Sequence, residues 1–321
     1  MTKIFAEFLH GSFIDAVNLV QLKQNGQISS LTYDIIKNQL TSDSVYYVIP
    51  GFYGADETGE VKIFARGGSD ITGAIIARGI NASLYENWTD VNGLRSADPK
   101  VVSNSKIISE ITYSEMRELG YRGAEVLQRD TIVPVFEAGI PINIRNTFSP
   151  DHPGTKVVKE RISKTEEGAI GIAGKAGFMA FQIDKFGMNE EVGIGSLVLE
   201  VFKDEGVSFE HDPSGLDSIS IIVDEKELNG KEKKIIENLQ KSIKPDRISL
   251  SRNLGLICVV GQNIKNESAE VAGLLFKSLK DARIPIRVIN YGMSGMNIVV
   301  GVDGTIVDEA IRVLYKSLIG E

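Results

Sequence analysis

The chain has 321 residues and a formal net charge of −8, from 35 basic and 43 acidic side chains; 42% of it is hydrophobic. That length holds two domains with a sizeable core, and the ordinary composition excludes a disordered chain or a repeat fibre. A mildly acidic surface without a Lys/Arg stripe excludes a nucleic-acid footprint, and no window approaches the roughly 18 apolar residues of a transmembrane helix.

The start, Ile4, Phe5, Phe8 and Leu9, has the spacing of an amphipathic helix with no cap or strand before it, as if a domain began mid-element. It lacks a signal-peptide core, so the expected compartment is the cytoplasm. Val45–Ile49 and Val61–Phe64 are β-rich runs, and the second ends in Arg66-Gly67-Gly68-Ser69-Asp70. Ile71, Ala74, Ile75 and Arg78 then fall at helical spacing. Ala82–Trp88 reads as a strand leading to Thr89-Asp90, with Trp88 more often a core residue than a base-stacking platform. Ser114–Gln128 reads as a helix, with Met116, Leu119, Ala124 and Leu127 inward, and Pro141–Arg145 as a short strand. This alternation predicts an α/β domain with a largely parallel sheet.

Periodicity breaks over Ser149–Lys156. Beyond it, Glu191-Val192-Gly193-Ile194-Gly195 leads through Phe202-Lys203-Asp204 to Val207 and Ser214–Ile219. Later, Glu270-Val271-Ala272-Gly273 leads through Leu279-Lys280-Asp281 to Ile284 and Ser294–Ile298. The recurrence predicts a duplicated α/β module, separated by a helical stretch over 224–244. Cys258, in the apolar run Leu254–Val260, reads as a small buried hydrophobe; a lone cysteine excludes an internal disulfide framework.

Three segments carry candidate chemistry. In Arg66–Asp70, paired glycines admit close backbone approach and a helix start offers free N–H groups to an anion. Arg66 suits a carboxylate. The alternative, a tight turn with a surface arginine, is disfavoured because Arg and Asp flank the pair on a strand-to-helix connection. Thr89-Asp90 lies at the carboxyl end of a strand, where open α/β sheets bind ligands. Arg95 and Lys100 follow with charge for a polyphosphate, and a solvated loop is an equal reading there. Asn146–Thr155 reads by itself as a rigid turn. His10, His152 and His211 lack metal-ligand spacing, so no protein-held metal is expected. No Gly-Lys-Ser/Thr phosphate loop is present.

Taken together, Gly51-Phe52-Tyr53-Gly54, Arg66–Asp70, Trp88-Thr89-Asp90-Val91, Ala97–Val102, Ser114-Glu115-Met116 and Arg145–Phe148 with His152–Thr155 resemble the aspartokinase family, in family order. The duplicated tail resembles paired ACT domains. The resemblance covers nearly the whole chain. It implies a portion of an amino-acid-kinase domain at 1–157 and tandem ACT modules over 158–321, at about 175–245 and 250–321, with interleaving left open. It implies transfer of the ATP γ-phosphate to the side-chain carboxylate of L-aspartate, with Mg²⁺ carried on the nucleotide. Phe52, Arg66, Gly67, Gly68, Ser69 and Asp70 fall on the aspartate site; Arg66 would grip carboxylate and Asp70 would orient the ammonium. Thr89, Asp90, Arg95 and Lys100 fall on the nucleotide site.

In the first ACT-like unit, Met188, Glu191, Gly193, Ile194, Gly195, Glu210 and Ser214 are the expected effector residues, with lysine the favoured effector. Plain packing of a two-layer fold is the competing reading. Asn263, Gly273, Asn290 and Asn297 are expected to support a homo-oligomer through the ACT sheets. Arg95 stands where many members carry Tyr, and Glu125-Val126-Leu127-Gln128 where many read Lys-Val-Leu-His. The family's front segment, Lys-Phe-Gly-Gly-Ser/Thr, has no counterpart in these residues. That departure keeps a second expectation open: a non-catalytic regulatory or assembly subunit.

Overall fold

The structure, a computed structural model, describes residues 1–42, 45–64, 67–120, 129–161 and 168–320, without the side chains of 129–132. It divides into two compact units, Met1–Ser96 with Ser105–Glu166, and Ala97–Asn104 with Glu167–Glu321. Ala97–Asn104 lies within the expected 1–157 span but belongs structurally to the second unit.

In the first unit α1 (Thr2–Phe8) leads to β1 (Ser12–Phe13), β2 (Gln21–Leu22), α2 (Leu31–Gln39) and β3 (Tyr47–Val48). β4 (Tyr53–Asp56) and β5 (Val61–Ile63) form a hairpin before α3 (Gly68–Gly79). β6 (Tyr85–Thr89), β7 (Glu110–Thr112), α4 (Tyr113–Gly120), α5 (Arg129–Ala138), β8 (Ile142–Asn146) and β9 (Thr155–Val158) complete it. The α/β alternation holds, although the strands form three small sheets. β1 pairs parallel with β3 and β2 with β4; the third sheet runs β6-β8-β9-β7, with one antiparallel pair, β8–β9, at its centre.

Helix α3 buries Ile71, Ala74 and Ile75 at the predicted spacing, and Ile71 and Ile75 gather with Leu19, Val20 and Ile36. Helix α1 forms at the amphipathic spacing, but Ile4, Phe5 and Phe8 are 53–76% exposed and only Ala6 is buried. Helix α4 starts at a reciprocal cap. Glu115 Oε2 accepts from the Thr112 N–H at 2.9 Å and from its hydroxyl at 2.8 Å, while the Glu115 N–H donates to Thr112 Oγ1 at 3.2 Å. Ala124, Leu127 and the Glu125–Gln128 departure lie outside the described residues.

The second unit contains β10 (Gly171–Asp184), α6 (Ile194–Asp204), β11 (Ser218–Asp224), α7 (Glu225–Leu228), α8 (Glu232–Ile243), β12 (Arg247–Val260), α9 (Ser268–Asp281), β13 (Val288–Tyr291), β14 (Asn297–Asp303) and α10 (Val307–Leu318). The expected single helical stretch over 224–244 is two helices, because Asn229 and Gly230 both take positive φ between them. All strands form one antiparallel sheet, β11-β10-β12-β14-β13.

The duplication is visible in detail. Helices α6 and α9 end alike: Gly206 and Arg283 have positive φ, and their N–H groups donate to Lys203 O and Lys280 O. The next N–H groups, of Val207 and Ile284, reach back to Phe202 O and Leu279 O, completing the same Schellman turn.

Two cores lie along the sheet. One gathers Phe181, Val198, Phe202, Ile221, Ile235 and Leu239; the other gathers Ile172, Ile257, Val259, Leu275, Val300 and Leu314. Strands β10 and β12, each 14 residues long, serve both. The latter half of β10 pairs with β11, whereas its first half, Gly171–Lys175, pairs with the latter half of β12, which also holds β14. The two modules are therefore interleaved. Each long strand changes core near a residue of positive φ, Gly177 in β10 and Asn253 in β12. Ala97 and Val102 are buried in the second core, and Arg312 Nε donates to Val101 O at 3.1 Å. Among the described residues no helix is long and apolar enough to cross a membrane.

Candidate active site

The turn Gly51-Phe52 lies on the start of α3. A Cβ at Gly51 would stand 2.9 Å from Ser69 Cα, and one at Gly68 would stand 2.8 Å from Phe64 Cβ and 3.1 Å from Phe52 Cα. Only glycine permits this approach. Phe52 itself has φ 87°, a region that non-glycine residues rarely occupy. It is held there from both sides: its N–H donates to Thr72 Oγ1 at 3.1 Å and its carbonyl accepts from the Phe64 N–H at 2.8 Å. Strain maintained by surrounding bonds is typical of ligand sites. Ser69 is exposed and Asp70 half-buried on the first turn of α3, whose N-terminus favours an anion. Arg66 lies outside the described residues.

Asp70 is anchored from β6. Tyr85 and Asn87, two apart on one face of the strand, both reach it. The Tyr85 hydroxyl donates to Asp70 O at 3.1 Å, and Asn87 Nδ2 donates to Asp70 Oδ1 at 3.1 Å. Burial pushes the Tyr85 phenol up to about 12. Reading 82–88 as an apolar strand that includes Tyr85 gives neither residue a site role. The available signal was an amide at an inward position, alternating with the outward Glu86 and Trp88.

Thr89 ends β6 and exposed Asp90 follows it, their side chains 3.2 Å apart at Thr89 Oγ1 and Asp90 Oδ1. Trp88 is not a core residue: it is 44% exposed and carries the Arg145 guanidinium 4.7 Å from its ring centroid. An adjacent strand explains this, because β8 lies parallel to β6 with Trp88 opposite Arg145. Arg145 also donates to Glu86 Oε1 at 3.0 Å and to the Pro150 carbonyl. It thereby ties the end of β6 to the turn after β8. In that turn Asn146 Nδ2 donates to Asn92 Oδ1 at 2.6 Å, and His152 Nδ1 accepts from the Gly154 N–H at 3.0 Å. Arg95 Nη1 donates to Ser105 O. Lys100 is exposed, within the segment that belongs to the second unit.

In the second unit Met188 is buried in a short 3-10 turn, and Glu191 forms an ion pair with Lys185. Gly193, with φ 88°, caps α6, whose first residues are Ile194 and Gly195. Glu210 and Ser214 lie on the segment that runs beside β11, where the Glu210 N–H donates to Ile222 O and Ser214 bridges Ile219. An open groove of about 710 Å³ lies further along α6, lined by Leu199, Glu200, Lys203, Ser208 and Phe209 among others. None of the seven expected effector residues lines it. Asn290, expected at a subunit contact, meets His211 Nδ1 at 2.8 Å within the chain.

Comparison with known proteins gives two family matches: the amino acid kinase family over residues 2–146 and the ACT domain over residues 257–318. Aspartokinase 3 of Bacillus subtilis (strain 168) is 37% identical over 293 residues, covering 91% of this chain and 64% of that protein. Chloroplastic aspartokinase 1 of Arabidopsis thaliana is 27% identical, over 91% of this chain and 52% of its own length. The chain thus spans less than two thirds of these curated relatives. The crystal structure of Clostridium acetobutylicum aspartate kinase superposes with a TM-score of 0.88 at 41% identity, over 99% of this chain and 72% of that one. Aspartokinase III of E. coli, solved with aspartate and ADP, shares the fold with a TM-score of 0.78 at 22% identity, covering 98% of this chain and 71% of that one.

Proposed function

The chain belongs to the aspartokinase family, and from that membership we propose that it takes part in ATP-dependent phosphorylation of L-aspartate to 4-phospho-L-aspartate. The observation that carries the proposal is the anchored Asp70. It sits on the first turn of α3, beneath the strained Phe52 turn, with its carboxylate fixed by Asn87. A held carboxylate suits a substrate ammonium. The free N–H groups of the α3 start suit a substrate carboxylate, and Arg66 is proposed to grip one.

Phosphoryl transfer asks chiefly for positioning and charge neutralisation. Thr89 and Asp90, at the carboxyl end of β6, are proposed for the nucleotide with Arg95 and Lys100. Their oxygens suit a hard cation; Mg²⁺ would arrive on the triphosphate and neutralise its charge. The aspartate carboxylate oxygen attacks the γ-phosphorus, the bond to the bridging oxygen breaks, and ADP leaves.

Residues 1–157 are proposed as kinase-domain sequence and 158–321 as two ACT modules. Met188, Glu191, Gly193, Ile194, Gly195, Glu210 and Ser214 are proposed for an amino-acid effector. Lysine is favoured because the E. coli protein of the same fold was crystallised with lysine and aspartate. Edge strand β13, with Ile289 and Tyr291 about half exposed, supports a homo-oligomer formed through these modules.

The test is hydroxamate trapping of aspartyl phosphate by the purified protein with ATP, Mg²⁺ and aspartate. Aspartate-dependent hydroxamate, suppressed by lysine, is expected. A folded protein that yields none, yet gains thermal stability with lysine, would overturn the catalytic proposal in favour of a regulatory subunit.

A further inference from the structure

Two features around Asp70 run against local preference. Asn87 is an amide at 7% exposure in the middle of a five-residue strand, where a β-branched or aromatic side chain is the ordinary choice. A buried amide is costly unless its hydrogen bonds are made. The two from Nδ2 go to Asp70 Oδ1 at 3.1 Å and to the Tyr85 hydroxyl at 3.3 Å. Gly73 occupies the interior of α3, where glycine destabilises a helix. A Cβ there would stand 2.8 Å from both Tyr85 Cε2 and the Tyr85 hydroxyl oxygen, so the glycine is what lets Tyr85 lie across the helix. The Tyr85 hydroxyl, lying there, donates to Asp70 O at 3.1 Å. Both departures converge on one residue: Asn87 holds its carboxylate, and Tyr85, admitted by Gly73, holds its backbone.

We propose that Asn87 is a positioning residue for the amino-acid substrate, setting the orientation of the Asp70 carboxylate while Tyr85, admitted by Gly73, fixes the backbone beneath it. The inference rests on the reading of Asp70 as the group that meets the substrate ammonium. Asn87 occupies Oδ1, so the ammonium is met by Oδ2, and the direction of Oδ2 follows from the Asn87 bond. Asn87 touches neither substrate nor nucleotide. It governs which amino acids bind by fixing where their ammonium must lie, and has no part in phosphoryl transfer.

The experiment is a double-mutant cycle of Asn87→Leu and Asp70→Asn. Leucine matches asparagine in size and removes both hydrogen bonds; Asn87→Ser serves if the leucine variant does not fold. Asn87→Leu is expected to raise KM for L-aspartate about tenfold, the scale of one hydrogen bond to a charged group, with kcat and KM for ATP changed less than about twofold. In the Asp70→Asn background the same change is expected to do nothing more, because the carboxylate it positions is gone. Equal effects of Asn87→Leu in both backgrounds, or a fall in kcat at unchanged KM, would overturn the proposal. A wild-type protein with no aspartate-dependent turnover refutes the proposed function alone. The cycle is then read from unfolding free energies, where additivity of the two changes would overturn the Asn87–Asp70 coupling itself.

Discussion

Glu115 and Arg161 form an ion pair closed off from water: the carboxylate is fully buried, the guanidinium 6% exposed, and Oε1 lies 2.8 Å from Nη2. The other carboxylate oxygen is held by the Thr112 cap. Removing one partner would leave a buried charge without its counter-ion, a loss of about 3–5 kcal/mol. Arg161→Met should therefore lower unfolding free energy by that amount in urea titrations. Glu115→Gln combined with Arg161→Met should be less damaging than Arg161→Met alone. A loss below about 1 kcal/mol for Arg161→Met would show that the pair contributes little.

Gly68→Ala tests the close approach beneath the Phe52 turn. The added methyl would stand 2.8 Å from Phe64 Cβ and 3.1 Å from Phe52 Cα, and overpacking of this kind costs about 1–3 kcal/mol. A lowered melting temperature and a higher KM for aspartate are expected. Gly195→Ala is the contrasting case. Nothing lies within 4 Å of a Cβ there, and its φ is not positive, so it should leave stability equal or raise it by up to ~1 kcal/mol.

Tyr85 gives the fold an alkaline limit. Its phenol is pushed up to about 12 by burial, against about 10 in an unfolded chain. The unfolded chain ionises first, so the contribution of the neutral phenol is whole below pH 10 and is lost as pH rises through 12. Melting temperature followed from pH 9 to 12 should fall, and Tyr85→Phe should flatten that fall. A parallel decline in both proteins would place the alkaline sensitivity elsewhere.

Trp88 is the one tryptophan in the sequence and precedes Thr89 and Asp90 directly. Its emission should therefore shift when ATP and Mg²⁺ bind. Arg145→Ala uncovers the ring face now under the guanidinium, and should raise acrylamide quenching while costing about 0.5–1 kcal/mol in stability. Emission unmoved by saturating nucleotide would count against Thr89 and Asp90 as nucleotide contacts.

Gly177 has φ 94° with nothing within 4 Å of a Cβ. Gly177→Ala therefore isolates the backbone term, on the order of 1–2 kcal/mol, which should appear as a drop of about 2–8 °C in melting temperature. No change would mean that β10 passes between its two cores by another conformation.

Much of the fold was legible because it is local. The apolar spacing of α3, the strand before Thr89-Asp90 and the module repeat are set by neighbours within a few residues. What escaped reading depends on distant partners. Trp88 looked like a core residue until β8 placed Arg145 over its ring. The Ile4, Phe5 and Phe8 stripe has helical spacing, and spacing does not say what faces it. Asn87 was hidden inside a strand whose average character is apolar. Asn290 found a partner 79 residues away in His211. The repeat was legible as two modules with interleaving left open, but not which half-strands are exchanged between them. That exchange turns on single residues of positive φ at Gly177 and Asn253.

The interleaving also sets an order in time. Ile172 finds its partner at Val259, about 90 residues later, and synthesis at roughly 5–20 residues per second separates the two by several seconds. During that interval the latter half of β10 can already join β11, while its first half has no strand to meet. The growing chain therefore carries an unmatched apolar ribbon past a nearly complete first module. The second module closes by reaching back to sequence made before either module existed.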